Sequence, residues 1–206
     1  MQIARDLYLL EYTGGKLHIP TISSAASVKL IKEAKKKGLK VSCSVSAHHL
    51  ILTDNELGSF DSNVKVTPPL RTKNDTKALL KGLKDGVIDM ITSDHNPIDV
   101  EHKKLEFSHA KFGTIGLESL FGAVNSVLDL ETIIKALTIH PRAIFNQEST
   151  TIKKDSTANL TLFNPDGTSV FLNENILSTS KNSAFLGKKL KGKVYGVFAN
   201  KKLVLN

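Results

Sequence analysis

One cysteine, no tryptophan, three arginines and no long apolar run set the first limits on this chain. With Cys43 alone, no intrachain disulfide forms and no thiolate-rich metal site can be built. A lone thiol suits a reducing compartment, so the cytoplasm is the expected location. No stretch approaches the roughly 18 consecutive apolar residues of a membrane span, and no membrane role is expected. The opening MQIARDLYLLEYTGG carries Arg5, Asp6 and Glu11 inside an apolar helical rhythm, unlike a signal peptide. The scarcity of arginine bears on partners. The net charge of +8 rests on 25 lysines against Arg5, Arg71 and Arg142. The lysines lie mainly in 32–40, 77–84 and 188–202, without interleaved aromatics to stack on bases, so nucleic acid is not an expected partner.

What is present describes a globular protein. Hydrophobic residues make up 40 % and charged ones 23 % of 206 residues, enough for one substantial core. Apolar spacing predicts a helix over 3–12, stopped by Gly14-Gly15, then a short strand over 16–22. Ser23 and Ser24 can cap a helix over 25–37 that Gly38 ends. A strand over 39–45 follows and runs into Ser46-Ala47-His48-His49. The stretch 64–69 is extended, because each residue before a proline is pushed out of the helical region. Asn74 or Asp75 is expected to cap a helix over 76–84, and Ile88 opens a third strand that reaches Thr92-Ser93-Asp94-His95 before Asn96-Pro97 turns the chain. Strands joined by helical crossovers predict an α/β class with a parallel sheet. Helices are expected over 117–128 and 130–138, with a short one from Pro141 to Phe145. From Ile152 the rhythm changes to extended pieces at 159–163, 169–172, 193–199 and 202–205, with turns at 164–167 and 200–201. Two domains are expected, 1–150 and a small β domain at 151–206.

In α/β folds, loops at the carboxyl ends of parallel strands carry the chemistry. Asp94 and His95 stand at such an end, as do His48 and His49. An imidazole with a carboxylate suits zinc, although the same residues also suit an Asx turn and structural hydrogen bonds. Adjacent histidines on a strand end should point to opposite sides, so one of the two at most would face a given pocket. Arg71 can reach a carboxylate or pin its own loop. Gly113-Thr-Ile-Gly116 brings backbone close to a neighbour but lacks the Lys-Ser/Thr ending of a phosphate loop. Cys43 reads as buried mid-strand rather than nucleophilic.

The blocks IARDLYLLEYTGGKLHIPTISSAASVKLIKEAKKKG, VSCSVSAHHLILTDNEL, KVTPPLRTKNDTKALLKGLKDGVIDMITSDHNP, FGTIGLE and KNSAFLGKKLKGKVYGVFANKKLVLN resemble, in order and interval, the carboxyl-terminal half of bacterial-type dihydroorotases of the amidohydrolase superfamily. The resemblance implies part of a (β/α)8 barrel, with 17–22, 41–46 and 88–93 as its sixth, seventh and eighth strands, beside a small β domain. It implies interconversion of dihydroorotate and N-carbamoyl-aspartate in pyrimidine synthesis, with zinc. Asp94 falls on the family's catalytic, metal-binding aspartate. Thr67, Arg71, His95, Ile98 and Gly113 become substrate-pocket candidates. Three positions depart: Thr21 stands where the family has a metal-binding histidine, Thr67 where it has a substrate-contacting asparagine, and Ile98 where it has a substrate-contacting histidine. The family's remaining metal ligands belong to five strands outside this sequence. The resemblance therefore implies that the chain alone is inactive and holds no zinc tightly, and that it self-associates or joins a complementary barrel half. The alternative is a non-catalytic homologue serving as assembly partner, for example to a transcarbamoylase.

Overall fold

Helix α1 (Gln2–Thr13) buries Leu7 and Leu10 on one face. Gly14, at φ 73, ends it and donates its amide to Leu10 O. Strand β1 (Leu17–Ile19) leads to α2 (Ala25–Lys36), where the Ser24 side chain accepts the Ser27 amide as an N-cap. Ile31 and Ala34 of α2 face inward, and Lys35 and Lys36 sit in its last turn, where cations complement the helix dipole. The computed structural model describes residues 1–148 and 151–205.

Strand β2 (Val41–Ser46) is buried along nearly its whole length, with Cys43 and Val45 fully enclosed. That is the signature of a parallel strand covered on both faces. It runs without a loop into α3 (Ala47–Ile51). Helix α4 (Lys73–Lys84) then precedes β3 (Met90–Thr92). The expected cap at Asn74 or Asp75 is corrected to Thr72. Thr72 Oγ1 accepts the Asp75 amide, and Asp75 returns a carboxylate oxygen to the Thr72 amide. The other Asp75 oxygen accepts the Ala25 amide, tying the start of α2 to the start of α4.

The three strands pair in parallel in the order β1-β2-β3, with Ile19 opposite Cys43 and Ser46 opposite Thr92. Among the described residues this sheet has three strands and is open at both edges, a partial rather than closed barrel. Asp89, just before β3, fastens it: one carboxylate oxygen accepts the Cys43 amide and the other the Lys35 ammonium, each at 2.8 Å. The main core lies between the sheet and α1, α2 and α4, around Ile31, Val45, Leu50 and Leu79.

After β3 come the short helices α5 (Val100–Lys103), α6 (Leu120–Val124), α7 (Leu130–Ile134) and α8 (His140–Ile144), the last two joined by a wider π turn. The helix expected over 117–128 is confined to 120–124. Residues before it are held against the end of β3: a Cβ on Gly116 would stand 2.2 Å from Ser93 O. Strands β4 (Leu160–Val170), β5 (Lys189–Ala199) and β6 (Lys202–Leu205) form an antiparallel sheet in that order. The expected turn at 164–167 is instead an irregularity inside β4, where pairing with β5 shifts register between Asn164 and Thr168. The turn at Asn200-Lys201 has both residues at positive φ, 51 and 62, and links β5 to β6 as a two-residue hairpin.

A second core joins Val64, Val66, Leu70 and Ile115 to Phe171 and Phe185 across the two parts of the chain. The expected domain boundary abuts residues 149 and 150, which lie outside the described residues. Among the described residues no helix is long and apolar enough to cross a membrane.

Candidate functional site

The carboxyl ends of β1, β2 and β3 bring Thr21, His48 and Asp94 to one edge of the parallel sheet. Two of the three are held in the left-handed backbone region, Thr21 at φ 48 and Asp94 at φ 46. For side-chain-bearing residues that conformation costs on the order of 1–3 kcal/mol and clusters at functional sites. At Thr21 the amide donates to Ser44 Oγ at 3.2 Å, and the next residue resumes the ladder through Ile22 N to Ser44 O.

His48 and His49 do not lie on opposite sides of a strand as expected. They follow Ala47 in the helical turn α3, and their rings lie at a tilt with centroids 4.5 Å apart. Their surroundings differ sharply. His49 Nδ1 is 2.5 Å from Ser46 Oγ and its Nε2 is 2.9 Å from Pro68 O. A carbonyl can only accept, so Nε2 carries the proton and Ser46 donates to Nδ1. Burial lowers the pKa of His49, and the ring is a neutral clamp between β2 and the 67–71 loop. His48 is 1 % exposed, and its Nε2 has no hydrogen-bond partner among the described residues. It faces Asp94 Oδ2 at 3.6 Å.

That contact is not an ion pair. Burial, with His49 adding to it, holds the His48 pKa well below the usual imidazole value, so the ring is neutral. Burial moves Asp94 the other way and raises its carboxyl pKa, which strengthens it as a proton acceptor when ionised.

Two of the remaining candidates line separate cavities. Thr21 and Arg71 line a depression of about 440 Å³ with Ser23, Pro68 and the first turn of α2. Arg71 is exposed, with Nε 3.4 Å from Ser23 Oγ, and its carbonyl accepts the Asp54 amide. Thr67 is exposed beside it, before the cis bond to Pro68. Ile98 is half-buried and lines a different cavity of about 810 Å³ with Asn63, Lys103 and Asn182. His95 turns toward the glycine passage, where Nδ1 accepts the amides of Gly116 and Leu117 at 3.3 and 3.4 Å. Gly113 is buried at φ 139 and donates to Lys65 O, and a Cβ there would stand 2.7 Å from Asn96 Nδ2. Among the described residues, then, Arg71 shares a cavity with Thr21 while Ile98 lines another. His18 points away, with Nδ1 2.8 Å from Ser42 Oγ and the ring edge-on to Phe145.

Sequence reasoning missed Asn182. Its Oδ1 accepts the Ile98 amide, its Nδ2 donates to Asn96 O and Gly113 O, and its carbonyl accepts the Ile115 amide. It clasps the segment after Asp94 to the glycine passage. No local pattern around KNSAF announces that role, since each partner is remote in sequence.

Zinc, implied by the resemblance, needs three protein donors at a catalytic site and four at a structural one. Among the described residues no group of three or more His, Cys, Asp or Glu side chains could hold a metal ion. His48 and Asp94 supply two donors, and the expected third position carries the Thr21 hydroxyl, a poor ligand beside an imidazole. The residues of this chain alone do not fit a tightly held zinc.

Residues 3–204 match the Amidohydrolase family. The chain belongs to that family. This amidohydrolase is 43 % identical over 197 residues to the dihydroorotase of Carboxydothermus hydrogenoformans, covering 92 % of this chain and 46 % of that protein. To the dihydroorotase of Endomicrobium trichonymphae it is 41 % identical over 197 residues, covering 92 % and 47 %. In fold it is similar to the L-hydantoinase (dihydropyrimidinase) of Arthrobacter aurescens, with TM-score 0.87 and 25 % identity, over 99 % of this chain and 48 % of that one. It also resembles the inactive dihydroorotase-like domain of the Chaetomium thermophilum CAD-like multifunctional protein, with TM-score 0.72 and 23 % identity, over 98 % and 54 %. The chain spans about half the length of the relatives it matches. One expectation is corrected by these matches. In place of a likeness to a carboxyl-terminal half, they show dihydroorotase-like amidohydrolase homology over nearly the whole 206-residue chain.

Proposed function

We propose that this chain supplies one wall of a cyclic-amide hydrolase site of dihydroorotase type and is inactive until other barrel strands complete that wall. The observation that carries the reading is Asp94: a half-buried carboxylate with a raised pKa, held in the left-handed region at the carboxyl end of β3. The 43 % identity to a dihydroorotase supports dihydroorotate as substrate.

In the hydrolytic direction, water oxygen bonds to the ring amide carbon and the carbon–nitrogen bond breaks. Asp94 takes one proton from the attacking water and returns it to the leaving nitrogen, and the second proton of the water leaves to solvent when the newly formed carboxyl group of N-carbamoyl-aspartate ionises. Arg71 is the candidate for the substrate carboxylate, since its fork matches that geometry. The open edges of β1 and β3 favour pairing with further strands, from a complementary barrel piece or a second copy. The lone buried Cys43 thiol, pushed up to about 12 chiefly by burial, suits the cytoplasm.

The test is complementation. The 206-residue chain is assayed with dihydroorotate alone, and then after co-folding with the barrel strands it lacks and added zinc. Turnover in the second case and none in the first is expected. A well-folded complemented barrel that never turns over favours a second reading, a non-catalytic dihydroorotase homologue serving as a structural or assembly partner, for example to a transcarbamoylase, to which the substitutions at Thr21, Thr67 and Ile98 already lend weight.

A further inference from the structure

We infer that His48 is the positioning residue for the Asp94 carboxylate, its Nε2–H holding Oδ2 so that Oδ1 is left to relay the proton. The inference rests on the reading of Asp94 as the proton-relaying group, and assigns the imidazole beside it a role that the resemblance does not.

Four observations carry it. First, an imidazole nitrogen removed from water and left without a partner is destabilising. His48 Nε2 is such an atom, on a residue 1 % exposed. Second, the polar atom it faces is Asp94 Oδ2 at 3.6 Å, roughly half an ångström beyond hydrogen-bond reach. Third, the imidazole is braced from behind: its ring lies on that of His49, itself fixed by Ser46 and by Pro68 O. His48 therefore cannot swing away without disturbing a satisfied neighbour. Fourth, a further buried polar atom without a partner among the described residues, Thr92 Oγ1, lies two positions before Asp94 at the same strand end. The carboxyl edge of the sheet thus leaves two buried polar atoms, His48 Nε2 and Thr92 Oγ1, without hydrogen bonds among the described residues.

The geometry requires one tautomer. Only an imidazole protonated at Nε2 can donate to Oδ2, which leaves Nδ1 bare. A carboxylate gripped through one oxygen presents the other in a fixed direction, and fixing such partners is worth roughly 10- to 100-fold in activity.

The experiment has two arms that fail separately. In the isolated chain, long-range proton–nitrogen spectra of histidine-labelled protein are expected to show His48 as the Nε2–H tautomer. Asp94→Ala should move the His48 Nε2–H resonance and leave that of His49 in place. An Nδ1–H tautomer, or a His48 signal indifferent to Asp94→Ala, overturns the proposal whether or not any activity exists. In the complemented barrel, His48→Leu is expected to lower kcat roughly 10- to 100-fold with KM little changed. His48→Gln, whose amide can still donate, should recover most of that loss. Equal losses in both variants, or a loss confined to KM, also overturn it. A complemented barrel silent with His48 intact defeats the reading of Asp94, while the tautomer measurement still decides the role of His48.

Discussion

The parallel and antiparallel sheets of this chain treat their apolar residues in opposite ways. In β2 almost every position is enclosed, and α2 and α4 cover the layer with Ile31, Leu79 and Leu83. In β6 every described position is exposed, with Leu203 at 59 % and Leu205 at 64 %. Leu162 of β4 is 61 % exposed as well. The first sheet thus brings its own cover and lacks only neighbours at its edges, whereas the second leaves apolar side chains in water. The candidate residues His48, Asp94 and Thr21 all stand at the carboxyl edge of the first sheet. Stability and candidate chemistry are therefore concentrated in the same layer.

Mutations should reproduce this division. Leu79→Ala, at a position 1 % exposed, is expected to cost about 2–5 kcal/mol in denaturant unfolding, because it opens a cavity between α4 and the sheet. Asp89→Ala should cost about 1–3 kcal/mol by leaving the Cys43 amide unpaired and freeing Lys35. Thr21→Gly should stabilise by about 0.5–1 kcal/mol, since glycine relieves the left-handed backbone at φ 48 and gives back only part of the gain as chain entropy. Leu203→Ala on β6 should stay within about 0.5 kcal/mol. A larger loss at Leu203 than at Leu79 would break the comparison.

Acid separates the sheets further. His18, His48 and His49 all have pKa values lowered chiefly by burial, and all three lie in or beside the parallel sheet. Each is neutral in the folded chain and takes up a proton more readily when unfolded. Their contribution is complete above the unfolded value of about 6.5 and is lost as pH falls from there through the lowered folded values, with a slope of up to roughly 1.4 kcal/mol per pH unit for each proton. Asp94 acts in the opposite sense, gaining relative stability as pH falls through its raised folded value toward 3.8. Hydrogen exchange at pH 7.5 and 5.5 should therefore show β1–β3 losing protection while β4–β6, which carry no histidine, change little.

Much of this layer could be read from residue order. Apolar spacing, Ser24 and Gly14 located α1 and α2, and the alternation over 39–45 marked the second strand, while its burial on both faces, serines included, emerges only from the fold. The expected placement of Asp94 at a strand end also matches the structure. Other features depended on partners remote in sequence. The cap at Thr72 is itself a local Thr-x-x-Asp box, but the Ala25 amide that donates to the second Asp75 oxygen lies fifty residues back. The unequal fates of His48 and His49 follow from Pro68 and Asp94, which no local pattern links to them. Asn182 reaches back 86 residues to Asn96 O, so its clasp was invisible to any window of sequence.

The claim beneath the functional reading is that this chain contributes Asp94 to a metal-dependent site without holding the metal by itself. Metal analysis of the purified 206-residue chain after exposure to zinc and exhaustive dialysis tests it most directly, with the complemented barrel treated in parallel. Zinc far below one ion per isolated chain, rising toward stoichiometry on complementation and falling again with Asp94→Ala, is the expected result. One tightly held zinc per isolated chain would contradict it.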